Sequence, residues 1–81
     1  MDLVELTKQL VMALVSDSEA VSVKKFETDE DNTILIQVMV AADDMGKVIG
    51  KGGKIANAIR TLVQASGYIN HQRVRINIDS F

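Results

Sequence analysis

The chain has 81 residues, 47% of them hydrophobic and 25% charged, which supplies one core and leaves no room for a second, so a single domain over residues 1–81 is expected. It contains no cysteine, excluding disulfides and thiolate metal sites, and no proline to break a helix from within. The formal net charge is −2, yet residues 1–44 set three lysines against ten acids, whereas residues 45–78 carry six Lys and Arg and no acid. That segregation predicts one basic surface on an acidic body, able to attract a polyanion despite the overall sign.

From Asp2 to about Val15, apolar or compatible residues recur at Leu3, Leu6, Thr7, Leu10, Val11 and Leu14. The spacing predicts an amphipathic helix, capped by Asp2 with Glu5 as its partner in a capping box. Its polar face lacks the basic residues that membrane adsorption favours, so the apolar stripe is read as core packing. Ser16 to Glu19 breaks the pattern, and Val21 to Thr28 reads as a strand. Asp29-Glu30-Asp31-Asn32 is a polar hairpin turn, since it lacks the glycine and distal glutamate of a calcium loop. Thr33 to Val40 alternates Ile34, Ile36, Val38 and Val40 on one face, with Leu35 and Met39 making the other face partly apolar.

Asp43-Asp44 is expected to cap a short helix through Ile49. A second helix runs from Lys54 to Ser66 and is expected to stop at Gly67 in the C′ position, with Tyr68 to Gln72 as a loop. Arg73 to Ile78 alternates again and closes the chain as a strand. The order is α-β-β-α-α-β, an α+β fold with three helices packed on one face of a three-stranded sheet. No apolar run reaches the roughly 18 residues that a membrane span requires. The acidic start Met1-Asp2-Leu3 lacks the basic residues of a secretion signal, so a cytoplasmic protein with no membrane contact is expected.

The chain concentrates four of its five glycines in Gly46-Lys47-Val48-Ile49-Gly50-Lys51-Gly52-Gly53-Lys54, interleaved with three lysines. A P-loop register fails here, because Lys51 or Ile55 stands where the second glycine must be. A dinucleotide fingerprint fails too, with Ile55 in place of its third glycine and no strand before it. What fits is Gly-x-x-Gly between two helices, Gly50-Lys51-Gly52-Gly53. Such a turn exposes backbone N–H groups at the positive end of the second helix and lets a sugar–phosphate chain come close.

The run Val48-Ile49-Gly50-Lys51-Gly52-Gly53-Lys54-Ile55, at a helix–turn–helix joint between strands, resembles the signature of the KH-domain family. With α-β-β-α-α-β it is similar to the type II, mostly bacterial, arrangement over essentially the whole chain. The resemblance implies an RNA-binding protein that clamps about four nucleotides of single-stranded RNA, as a post-transcriptional regulator or RNA chaperone. Gly50 to Gly53 would hold phosphates, Lys51 and Lys54 with Lys47 would add charge, and Val48, Ile49 and Ile55 would line an apolar base groove. Arg60, Arg73 and Arg75 extend the expected basic surface.

The helix from Lys54 carries more apolar residues than one sheet face needs, which makes Ile59 and Leu62 candidates for a dimer interface. The family resemblance further implies a homodimer and a larger KH-containing protein partner. Two alternatives stand beside RNA binding: a dimerising scaffold acting through protein partners, and a single-stranded DNA binder. His71 has no partner motif and Asp43-Asp44 do not face each other, so no catalytic residue, metal site or cofactor is expected.

Overall fold

The computed structural model describes residues 2–81, and Met1 lies outside the described residues. The first helix, α1 (Leu3–Met12), starts where Asp2 turns its Oδ1 to accept from the N–H groups of Val4 and Glu5 at 2.9 and 3.2 Å. Glu5 does not act as expected of a capping box: its Oε1 accepts from Gln9 Nε2, one turn further on, at 2.9 Å. Three strands follow the predicted pattern, β1 (Ser22–Glu27), β2 (Thr33–Val40) and β3 (Arg73–Ser80), in the spatial order β1-β2-β3. β1 runs antiparallel to β2 through the hairpin, and β3 lies parallel to β2 with Ile36 opposite Ile76. A parallel pair needs a crossover, and here α2 (Met45–Ile49) and α3 (Lys54–Ile69) provide it.

The core forms between the helices and one face of the sheet. Ile34, Ile36, Val38 and Val40 of β2 and Val74, Ile76 and Ile78 of β3 are buried, together with Leu3 and Val11 of α1 and Ala56, Ile59 and Val63 of α3. Alternate residues of β3, from Arg73 to Asp79, are exposed on the opposite face. The architecture is the expected α+β one, with three helices on a mixed three-stranded sheet.

The end of α3 departs from expectation. The helix continues through Gly67 to Ile69, and Asn70 is its C-cap. His71 occupies the C′ position in left-handed backbone (φ 60). Its N–H donates to the Tyr68 carbonyl at 3.0 Å, while the Gln72 N–H donates to the Gly67 carbonyl at 2.8 Å. This is the Schellman arrangement, completed by a histidine where glycine is usual.

Gly67 serves close packing instead. A Cβ there would lie 2.5 Å from Val74 Cγ2 and 3.1 Å from the Gln72 carbonyl oxygen. On an open helix face Gly→Ala gains about 1 kcal/mol of propensity. Here overpacking costs about 1–3 kcal/mol, because a stiff valine and a backbone atom must yield. Gly67→Ala is therefore expected to lower stability by up to about 2 kcal/mol in urea unfolding, with part of the loss recovered in a Gly67→Ala/Val74→Ala cycle.

Candidate nucleic-acid interface

The joint between α2 and α3 is a sequence of three glycines with positive φ. Gly50 ends α2 at φ 75, ψ 174, Gly52 sits at φ 65, ψ 18, and Gly53 opens α3 at φ 78, ψ 11. The Gly50 N–H closes α2 on the Gly46 carbonyl at 2.9 Å, and the Gly53 N–H turns back to the Gly50 carbonyl at 3.2 Å. Ile55 lies directly over Gly50, where a Cβ would approach its Cγ1 to 2.6 Å. Gly52 faces open space, with nothing within 4 Å of the position a Cβ would take. No side chain caps the start of α3. A 16-residue helix thus begins with its N-terminal amides and positive dipole end turned to solvent.

Lys51 and Lys54 are exposed at this turn, and among the described residues neither has an ion-pair partner. Ile49 and Ile55 are half-buried and offer apolar surface beside it. Val48 is 0% exposed and belongs to the core, so it presents no surface to a groove. Lys47 has partners within the chain: its Nζ donates to Ser16 Oγ and lies 3.4 Å from Asp44 Oδ1.

Asp44 is the residue that sequence reasoning misread. It makes no side-chain cap for α2; a 3₁₀ turn, Ala42–Asp44, leads into the helix instead. The buried carboxylate reaches back across the sequence to accept from the Ser16 and Asp17 N–H groups, each at 3.0 Å. With Lys47, it ties the segment after α1 to the helix that carries the glycine turn. The backbone donors of Asp17 and then Ser16 hold its carboxyl below the usual carboxylate range, assisted by Lys47 and opposed by burial. In the unfolded chain this carboxyl takes up its proton near 3.8, before the folded protein does. Its stabilising contribution is thus complete above that value and is lost as pH falls through the depressed folded pKa. Asp44→Asn is expected to destabilise the protein at neutral pH and to flatten the fall in its unfolding midpoint between about pH 5 and 2.

The six cations of residues 45–78 do not form the single surface their clustering predicts. Lys51 and Lys54 stand at the turn, and Lys47 is held by Asp44 and Ser16. Arg60 lies along α3, its Nε donating to the Ile76 carbonyl of β3 at 3.4 Å and its Nη1 to Asn57 Oδ1 at 3.3 Å. Gln64, one turn on, donates to the Val74 carbonyl at 3.2 Å. Both side chains occupy backbone acceptors of an edge strand. Arg73 and Arg75 project from the sheet face opposite the helices, where Arg75 pairs with Glu30 at 2.6 Å.

The two candidate interface residues also part company. Ile59 is 4% exposed and packs in the core, whereas Leu62 is 55% exposed. Among the described residues no helix is long and apolar enough to cross a membrane, and no cluster of His, Asp and Glu is placed to hold a metal ion.

Residues 4–78 match the family model described as KhpA/KhpB, KH domain. The chain is 46% identical over 74 residues to the RNA-binding protein KhpA of Caldanaerobacter subterraneus, covering 91% of this chain and 96% of the relative. It is 43% identical to the RNA-binding protein KhpA of Listeria monocytogenes, covering 91% and 95%. Among solved structures, Aquifex aeolicus Era bound to GDP.AlF4- superposes with a TM-score of 0.71 at 16% identity, over 98% of this chain and 30% of that one. Era in complex with MgGDPNP and nucleotides 1506–1542 of 16S ribosomal RNA gives 0.66 at 19% identity, over 96% and 29%. The chain therefore spans under a third of either Era chain, and at such identity the likeness shows the fold alone.

Proposed function

The chain belongs to the KhpA/KhpB KH-domain family, and from that premise we propose that it binds single-stranded RNA through the Gly50–Gly53 turn. The observation that carries the reading is the uncapped start of α3 behind three positive-φ glycines, with Lys51 and Lys54 exposed beside it. The free amides donate to phosphate oxygens, the lysines add charge, and Ile49 and Ile55 offer an aliphatic wall to bases rather than an aromatic stack. About four nucleotides fit such a clamp, so each contact is weak and modest in sequence preference. In this reading the protein is a cytoplasmic, non-enzymatic regulator or chaperone of RNA. Fluorescence anisotropy with a labelled single-stranded RNA tests it directly. Affinity should fall steeply with salt, as phosphate contacts require, and no saturable binding at low salt would refute the reading.

A second feature supports self-association. Ile55, Ala58, Leu62, Ala65 and Ile69 follow one another at intervals of three and four residues along α3, with Ala58, Leu62, Ala65 and Ile69 exposed. The row is nearly palindromic about Leu62, so an antiparallel second copy would set Leu62 on Leu62, alanine on alanine and isoleucine on isoleucine. Two weak clamps in one dimer would gain avidity on a longer strand. Leu62→Asp is expected to weaken self-association at least about tenfold in analytical ultracentrifugation, as loss of a central anchor does. Ile59→Asp cannot serve that purpose, because it places an unpaired charge in the core.

A further inference from the structure

The sheet face turned away from the helices is more apolar than a solvated face requires. β2 contributes Leu35, Gln37 and Met39 along its middle, β1 contributes Lys24 and Phe26 on one side, and β3 contributes Arg75 and Asn77 on the other. The register sets Phe26, Leu35 and Arg75 in one row and Lys24, Gln37 and Asn77 in the next. Phe26 is 48% exposed, and no helix covers it. A two-layer fold normally keeps its outer sheet face polar, so an accessible phenylalanine beside Leu35 calls for an occupant.

We infer that this outer sheet face is a second single-stranded nucleic-acid subsite, separate from the glycine turn. The chemistry is that of an open-sheet reader: a ring for stacking, an amide pair for base edges and flanking cations for phosphates. Asn77 Nδ2 donates to Gln37 Oε1 at 2.9 Å. That leaves the Asn77 carbonyl as an acceptor, while the Gln37 amide donates only to Met39 Sδ, at 3.4 Å. The pair thus offers an acceptor and a weakly engaged donor to a base. Lys24 stands on one flank and Arg75 on the other; the acids of this face are Asp79 at one end and Glu30, whose ion pair with Arg75 is solvent-exposed and weak enough to give way to a phosphate. Charge complementarity therefore favours a polyanion over an acidic or apolar protein surface. The polarity also limits the path. A cleft of about 540 Å³ at the Arg73 end is lined by Glu30 and Asp31, whose carboxylates repel phosphate, so the strand leaves the sheet before reaching it.

This inference rests on the RNA-binding reading, and the test separates the two. Anisotropy titrations compare a short RNA of about four nucleotides with a long uridine strand, using wild type, Lys24→Ala/Phe26→Ala and the turn variant Gly52→Asp, each checked for folding by circular dichroism. The sheet variant should bind the long strand about tenfold more weakly, the effect of losing one stacked base, and the short strand unchanged. Lys24→Glu, at an exposed position, should weaken the long strand likewise if the double variant proves unstable. Equal affinity of the folded sheet variants and wild type for the long strand overturns the inference while leaving the turn intact, as it would if the face docked a protein. Unchanged binding by Gly52→Asp instead removes the turn and leaves the sheet. No binding of either RNA by wild type overturns both.

Discussion

Lys51→Asp combined with Gly52→Asp is expected to lower affinity for single-stranded RNA at least 100-fold without unfolding the protein. Both substitutions act at the uncapped start of α3, where they replace one cation and add two anions at the proposed phosphate contact. Like charges brought together at an interface cost several kcal/mol, hence at least about two orders of magnitude in affinity. The local fold tolerates the change. Nothing lies within 4 Å of a Cβ at Gly52, and its αL backbone (φ 65) admits aspartate at a cost of about 1–2 kcal/mol. Anisotropy with matched RNA and DNA strands, after circular dichroism of both proteins, reads the result and asks whether the 2′-hydroxyl matters. Undiminished RNA binding by the folded variant would take the turn out of the mechanism.

Gly50→Ala is expected to have the opposite profile, a large loss of stability. Its backbone, at φ 75 and ψ 174, lies in a region essentially restricted to glycine. Such strain costs about 1–3 kcal/mol, and a new Cβ set 2.6 Å from Ile55 Cγ1 adds overpacking of similar size. The sum, about 2–6 kcal/mol, is a large share of the 5–15 kcal/mol that holds a typical domain. Urea unfolding measures it, and Ile55→Ala in the same chain should recover part of the loss by making room. A near-neutral Gly50→Ala would mean that Ile55 does not close over the turn. The same motif therefore divides by role: Gly50 lets α2 end beneath Ile55, while Gly52 keeps the entrance to α3 open.

Much of this was legible before any coordinates. Ile34 to Val40 alternate so regularly that β2 falls on the predicted residues, Thr33–Val40. The glycine run likewise marks the joint between α2 and α3. Gly67 misled because a glycine after a periodic run signals either a stop or a close approach, and only the neighbouring Val74 distinguishes them. Asp44 misled for a similar reason. A carboxylate just before a helix normally caps it, and its true partners, Asp17 and Ser16, lie 27 and 28 residues away in sequence.

By itself the sequence determined the order of elements, the α+β class and the place of the glycine turn. These follow from local periodicity and backbone freedom, which act between residues close in the chain. Tertiary structure alone decided which of those residues have surface to offer. It buried Val48 and Ile59, left Leu62 and Phe26 accessible, bound Lys47 to Asp44 and dispersed the other cations between turn, helix edge and outer sheet face. Burial and charge pairing depend on what a parallel crossover brings alongside, and no spacing along the chain encodes that.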